Sequence, residues 1–175
     1  MRRVLLAFVA AAALAALSGC KSIPSDAPKA TANLVPTRNG NAAGTASFYQ
    51  VGGKVRMVAN VSGLVPGREH GFHIHEAGDC SSGDGMSAKG HFNPMGKPHG
   101  HYSTAERHAG DMPALKADAK GDAKLETDLD LMTVTPGPSS IVGRGLIVHA
   151  DPDDYKTQPT GNAGARIACG VIQAG

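Results

Sequence analysis

Gly71-Phe72-His73-Ile74-His75 alternates apolar and imidazole side chains after a glycine. In a β-strand, residues two apart share a face. Phe72 and Ile74 can therefore enter a core while both imidazoles point outward together on the opposite face. The stretch predicts a strand with one apolar face and one face that carries two histidines.

The sequence around this strand favours more short strands joined by turns. Val55, Met57, Ala59 and Val61 alternate along one strand face, which is typical of a half-buried sheet. The chain has 23 Gly, 11 Pro and no Trp, it shows no convincing helical period over three turns, and it contains no internal repeat. Turn signals occur at residues 39–40, 52–53 and 66–67. Besides the 71–75 stretch, the predicted strands of this all-β domain are residues 33–37, 44–50, 54–61, a hairpin of 114–117 and 124–128 around Gly121, 145–150 and 165–172.

The alternation fails between His75 and Asp111, where the chain is rich in Gly, Ser, His and Pro. A loop this long in a compact domain is usually functional or disordered. Seven of the eight histidines fall between residues 70 and 108. A single surface histidine, or a structural zinc staple with four ligands, would not need so many, so the clustering predicts a larger metal site.

The candidate ligands divide into a strand set and a loop set. In Leu146-Ile147-Val148-His149, Leu146 and Val148 would face the core and His149 the opposite side. Three imidazoles on neighbouring strands suit a late transition metal such as copper. The loop adds three nitrogens and a carboxylate, a plausible tetrahedral zinc set, from His91, His99, His108 and Asp111.

The first residues read as an export signal. Arg2 and Arg3 are followed by an apolar run over residues 4–16, which is shorter than the ~20 residues that span a bilayer. The run ends in a small-residue region with Cys20 directly behind it, which resembles the lipobox of bacterial lipoproteins. We expect residues 1–19 to be a lipoprotein signal peptide and Cys20 to be lipidated, with an ordinary secretory signal as the alternative.

We expect residues 20–30 to comprise the lipidated cysteine and a flexible tether, and residues 31–175 to form the β domain. Export predicts the periplasm, with the anchor in a bacterial cell membrane, and Lys21 favours the outer one. Lipidation of Cys20 leaves Cys80 and Cys169 as one pair, which usually forms a disulfide in an oxidising compartment. Two free thiols are the alternative.

The charge balance excludes a nucleic-acid partner. Of 17 basic residues, Arg2 and Arg3 lie in the predicted leader, which leaves 15 against 15 acidic residues. A protein that binds nucleic acid by its phosphates needs a basic surface that this chain lacks.

Several motifs in order resemble the copper–zinc superoxide dismutases. The resemblance covers about residues 30 to 172 and rests on HGFHIHE (70–76), GHFNP (90–94), RHAGD (107–111), GNAGAR (161–166) and ACGVI (168–172). The leader is similar to that of the periplasmic, lipoprotein branch of the family.

The resemblance implies two metal sites that share one histidine. The implied copper ligands are His73, His75, His91 and His149, and the implied zinc ligands are His91, His99, His108 and Asp111. His91 would then bridge the metals and take part in catalysis by taking up and returning a proton. His70 and His101 match no ligand, and His70 is expected to be structural or solvent-facing.

Other positions follow from the same resemblance. Arg166 matches the catalytic arginine beside the copper, and Asp153 matches a carboxylate that joins a copper-ligand histidine to a zinc-ligand histidine, although Asp151 and Asp154 are neighbours. Cys80 and Cys169 match the family disulfide. The implied fold is an eight-stranded Greek-key barrel or sandwich with long metal-binding and electrostatic loops.

The implied activity is dismutation of superoxide to dioxygen and hydrogen peroxide by Cu(II)/Cu(I) cycling, which would protect the cell envelope. A periplasmic copper or zinc carrier on the same fold, without catalysis, is the alternative, and a two-metal hydrolase is disfavoured because it would want more carboxylates. Lys89, Lys97 and Lys156 are candidates for steering the substrate. Monomer and homodimer both stay open.

Overall fold

The computed structural model describes residues 23–175. The predicted signal peptide and Cys20 lie outside the described residues and stay predictions. The first strand begins at Lys29, slightly before the boundary expected for the domain. Within the described residues, no helix is long and apolar enough to cross a membrane.

The described part of the chain forms strands and almost no helix. One short 3-10 helix covers Met86–Ala88. The strands are β1 (Lys29–Pro36), β2 (Ala43–Val51), β3 (Lys54–Ser62), β4 (Glu69–His70), β5 (Phe72–His75), β6 (Leu115–Lys116), β7 (Ala123–Leu129), β8 (Gly145–His149), β9 (Arg166–Val171) and β10 (Gln173–Ala174).

Eight of these strands form one curled antiparallel sheet. Its order is β5-β8-β9-β1-β2-β3-β7, and β10 pairs with β1. The sheet therefore places β9, near the end of the chain, beside β1 at its start. β4 and β6 form a separate two-stranded sheet. This arrangement confirms the predicted all-β, eight-stranded fold class.

The core lies on one face of the sheet. Val55, Met57 and Ala59 of β3 are fully buried, as the alternation predicts, and Phe48 of β2 lies opposite Met57. Full burial of a Val, Met or Phe side chain stabilises the folded state by about 1.5–3 kcal/mol. The face of β3 that is apolar in the sequence is therefore the face that stabilises the fold.

The predicted hairpin of residues 114–117 and 124–128 is wrong. A turn does form, because the Gly121 N–H donates to the Asp118 carbonyl at 3.1 Å. The strands on either side of it pair elsewhere, β6 with β4 and β7 with β3. A local turn signal does not reveal that each flanking segment finds a better partner far away in the chain.

Strand β5 brings its two histidines next to β8. Phe72 and Ile74 pair with Val148 and Leu146, and all four side chains enter the core. His73 and His75 lie on the opposite face, as predicted. That face is not exposed, however, because both histidines have 0% of their surface accessible.

The long loop covers the histidine face of β5. Its backbone returns along the free edge of the strand: the Phe92 N–H donates to the Ile74 carbonyl at 2.8 Å, and the Ile74 N–H donates to the Gly110 carbonyl at 3.1 Å. These bonds place His91 beside His75 and Asp111 beside His73. The loop is therefore ordered by the edge that β5 would otherwise expose.

A disulfide joins Cys80 in the loop to Cys169 in β9, as predicted. Cys169 packs in a small apolar cluster with Ala88 and Ile147. The bridge spans 89 residues of sequence. It fastens the first part of the loop to a central strand of the sheet.

Removal of this disulfide should destabilise the domain strongly. For a closed loop of this length, the chain-entropy model gives about 4–5 kcal/mol. We expect the free energy of unfolding of the Cys80→Ser/Cys169→Ser variant, measured by urea titration, to be lower than that of the oxidised wild type by a large part of this amount. Equal stability of the variant and the oxidised wild type would contradict this, and the reduced wild type is the control.

Candidate metal centre

Four buried imidazoles converge between β5, β8 and the long loop. His73 and His75 come from β5, His149 ends β8, and His91 comes from the loop. One ligand atom from each lies within 4.8 Å of those of the others. All four rings are buried, so their nitrogens are out of reach of bulk water.

In three of these rings, the nitrogen that points away from the centre of the cluster, here called the outer nitrogen, lies next to an oxygen atom. His73 Nε2 lies 2.7 Å from Asp153 Oδ2, and His75 Nδ1 lies 2.8 Å from the carbonyl oxygen of Lys89. His149 Nδ1 lies 3.4 Å from the Gly164 carbonyl oxygen. Because these oxygens only accept, each outer nitrogen carries the proton and the inner nitrogen keeps its lone pair.

The inner nitrogens are the ones without partners. Within the described residues, the buried side-chain nitrogens that lack a hydrogen bond include His73 Nδ1, His75 Nε2, His91 Nε2 and His149 Nε2. A buried polar atom without a partner costs about 1–3 kcal/mol. Four lone pairs directed into one small space fit a metal ion that takes nitrogen ligands.

Burial also keeps His75, His91 and His149 neutral. Loss of solvent, followed by the neighbouring imidazoles, lowers the pKa of His75 and His149 well below the ordinary value. The same effects lower the pKa of His91 to about 3, against the opposing carboxylate of Asp111. Neutral imidazole is the form that binds a metal.

A second cluster surrounds the carboxylate of Asp111. Its Oδ1 lies 2.8 Å from His91 Nδ1, 3.0 Å from His99 Nδ1 and 3.3 Å from His108 Nδ1. One ligand atom from each of the four residues lies within 4.8 Å of the others. Three nitrogens and one carboxylate oxygen at this spacing fit a tetrahedral zinc ion.

Asp111 is anionic in this cluster. Burial alone would raise its pKa, but hydrogen bonds from His108, His91 and His99 bring that pKa well below its usual range. Its second oxygen accepts the backbone N–H groups of Gly100 at 3.1 Å and His108 at 2.9 Å. These bonds hold the loop around the carboxylate.

His91 belongs to both clusters. Its Nδ1 faces Asp111, while its Nε2 is among the unpartnered nitrogens of the first cluster. Its ring centroid lies 4.0 Å from that of His73 and 5.3 Å from that of His99. The geometry places one imidazole between two candidate metal positions, as the resemblance implies.

Asp153 connects the clusters by a second route. Its Oδ2 lies 2.7 Å from His73 Nε2 and its Oδ1 lies 3.0 Å from His99 Nε2. The neighbouring carboxylates face elsewhere, Asp151 toward Arg68 and Asp154 toward Thr157. Among the three candidates, Asp153 is therefore the one that contacts a histidine of each cluster.

Gly161 makes room for this connection, which sequence reasoning did not recognise. A Cβ atom at this position would lie 1.8 Å from Asp153 Oδ1 and 2.6 Å from His99 Nε2, and its φ of 69° favours glycine. The signal available in the sequence was its place at the start of the GNAGAR motif. A larger residue there would displace the carboxylate.

Arg166 lies beside the first cluster at the floor of an open depression of about 350 Å³. Its Nη1 donates to the Gly85 carbonyl and its Nη2 to the Lys89 carbonyl, both at 2.6 Å. His149 lines the same depression. A small anion that enters it therefore meets a fixed guanidinium next to an imidazole of the first cluster.

The remaining histidines and the candidate lysines do not line the depression. His70 is fully buried and its Nδ1 lies 2.8 Å from the His149 carbonyl oxygen, so it is structural and not solvent-facing. His101 packs against Tyr102, with ring centroids 4.2 Å apart. None of the candidate steering lysines lines the depression; its charged residues besides Arg166 are Arg38 and Asp84, which sequence reasoning missed.

Comparison with known proteins gives one consistent family. Residues 42–172 match the family model described as copper/zinc superoxide dismutase. A protein of Aquifex aeolicus named superoxide dismutase (Cu-Zn) 2 is 43% identical over 149 residues, 83% of this chain and 86% of its own. One of Brassica juncea with the same name is 47% identical over 136 residues, 74% of this chain and 88% of its own.

A solved structure agrees with these relatives. The crystal structure of the clock protein EA4 superimposes with a TM-score of 0.76 and 38% sequence identity, over 84% of this chain and 94% of that one. The family model and the identities cover most of the chain, including both clusters and the disulfide. The chain belongs to the copper/zinc superoxide dismutase family.

Proposed function

We propose that this protein is a superoxide dismutase that holds one copper and one zinc ion and converts two superoxide anions and two protons to dioxygen and hydrogen peroxide. The observation that carries the proposal is the position of His91, whose two ring nitrogens face two different ligand clusters. The names of the relatives agree with this activity.

The donor sets assign the metals. Four imidazoles suit copper, because imidazole tolerates both of its oxidation states; these are His73, His75, His91 and His149. Three imidazoles and one carboxylate suit zinc; these are His91, His99, His108 and Asp111.

Copper, when bound, supplies one-electron redox chemistry, and zinc supplies a fixed charge. The chain itself supplies proton handling and orientation. Peroxide needs protons, and a neutral His91 whose Nδ1 lone pair is engaged in the Asp111 cluster would carry its one proton on Nε2, which faces the first cluster. Asp153 holds His73 and His99 in place through the opposite ring nitrogens.

Arg166 attracts the substrate. Superoxide is a small anion, and a guanidinium offers a fixed positive charge with several N–H donors. Two carbonyl oxygens hold this group in position. Burial lowers the pKa of the Arg166 guanidinium, but its ordinary value is so high that the group stays charged. The depression thus delivers an anion to the first cluster.

We also propose that the protein is exported and anchored by lipid on Cys20 in the cell envelope, where it removes superoxide. Two features support this location. The leader ends in a lipobox-like sequence, and the Cys80–Cys169 disulfide is typical of an oxidising compartment.

Loss of the Arg166 charge should slow dismutation without loss of metal. We expect Arg166→Ala, loaded with copper and zinc, to lose about tenfold to hundredfold in kcat/KM, because a field that focuses a charged substrate raises its association rate by about 10- to 1,000-fold. Stopped-flow decay of superoxide gives the rate, and metal analysis gives the content. Arg56→Ala on the distant strand β3 is the control.

The activity of the wild type distinguishes a superoxide dismutase from a copper or zinc carrier without catalysis. Full copper and zinc loading with no superoxide decay would leave a metal-binding protein and reject the proposed function. If the wild type is active and Arg166→Ala is equally active, only the proposed role of Arg166 is contradicted.

Asp153→Asn should weaken metal binding although Asp153 contacts no metal in this assignment. Loss of an oriented carboxylate behind a metal ligand typically lowers affinity about 10- to 100-fold. Competition with a chelator measures it for zinc and for copper. Asp154→Asn is the matched control, because Asp154 contacts Thr157 and neither cluster; equal affinities in both variants would contradict the role of Asp153.

Cys20→Ser should release the protein from the membrane. Lipidation needs the thiol, so fractionation of cells should find the variant in the soluble fraction and the wild type with the membrane. Incorporation of labelled palmitate checks the modification directly. A membrane-bound, unlabelled wild type would point to a different anchor.

A further inference from the structure

The rim of the depression carries an ion pair that belongs to neither ligand cluster. Arg38 Nη2 lies 3.4 Å from Asp84 Oδ2, and both side chains are accessible, 62% and 34% respectively. Both residues line the same depression as Arg166. Because exposed ion pairs contribute little to folding stability, this pair is of interest for its charge.

Asp84 presents a negative charge near the path of an anion. It precedes Gly85, whose carbonyl accepts the Arg166 Nη1 donor at 2.6 Å. The N–H of Met86 donates to its Oδ1 at 2.9 Å, and this bond, with smaller effects that include Arg38, lowers the pKa of the Asp84 carboxyl. It is therefore ionised at neutral pH, and alone it would repel an anionic substrate.

Arg38 is fixed where it offsets this charge. Its backbone N–H donates to the Gly83 carbonyl at 2.8 Å, and its guanidinium donates to the Ser82 carbonyl. The adjacent Thr37 Oγ1 donates to the Arg166 carbonyl at 2.6 Å. The turn after β1 thus binds both the loop segment that carries Asp84 and the start of β9.

We propose that Arg38 is a substrate-steering residue that neutralises Asp84 at the rim, so that the positive charge of Arg166 dominates the field met by an incoming anion. The inference rests on the proposed function and extends it to two residues outside the metal sites. Clefts of one charge sign raise the association rate of charged ligands, and salt reduces the effect.

The test uses the copper- and zinc-loaded wild type, Arg38→Gln, Asp84→Asn and the double variant. At low ionic strength we expect kcat/KM to fall about twofold to fivefold in Arg38→Gln and to rise by a similar factor in Asp84→Asn, with the double variant near the wild type. These differences should shrink toward about 0.15 M salt, where the screening length is about 8 Å.

A conservative variant separates charge from structure. Arg38→Lys keeps the charge and should retain the wild-type rate and salt dependence. A loss in Arg38→Lys equal to that in Arg38→Gln, or a loss that persists at high salt, would show that Arg38 only supports the loop. Arg56→Gln on β3 removes an equivalent surface charge that pairs with Asp128 and Glu126 away from the depression, and it should have no effect.

A second measurement does not depend on turnover. Calorimetric titration of the loaded proteins with inorganic phosphate should show weaker binding by Arg38→Gln and tighter binding by Asp84→Asn. Equal affinities and equal rates in all four proteins would overturn the inference. If the wild type does not dismutate superoxide, the proposed function fails, and the phosphate affinities still decide whether this pair controls the field at the rim.

Discussion

The structure depends on the burial of imidazole nitrogens that have no hydrogen-bond partner. Four of them, on His73, His75, His91 and His149, converge in one buried place. Each would cost about 1–3 kcal/mol if nothing bound it. The surrounding oxygens orient the rings and leave the inner lone pairs free, so a metal ion is the partner that makes this arrangement favourable.

The sheet and the loop each supply part of the ligands of this site. β5 and β8 are held in the sheet and supply three rings at fixed spacing, while the loop supplies the rings that complete the two clusters. The loop contributes Phe92 and Ala109 to the core, and it is also held by the free edge of β5, by the disulfide to β9 and by hydrogen bonds to the Asp111 carboxylate. Zinc in the second cluster would thereby order the loop that completes the first cluster.

Much of this could be read from the sequence because the relevant signals are local. Alternation identified β3 and β5 and the face on which each histidine lies, and the motifs pointed to the ligand sets. Pairing between distant segments could not be read, so the hairpin around Gly121 was wrong and the burial of His73 and His75 was missed. Resemblance named Asp153, but only the structure separates it from Asp151 and Asp154. The Arg38–Asp84 pair lies outside every recognised motif and was missed altogether.

In the proposed site one imidazole, that of His91, serves two metals. Anomalous X-ray diffraction from crystals of the oxidised, copper- and zinc-loaded protein, recorded at both absorption edges, tests it most directly. We expect copper among His73, His75, His91 and His149, zinc among His91, His99, His108 and Asp111, and His91 in contact with both ions. A single metal position, or a His91 bound to only one of two ions, would contradict it.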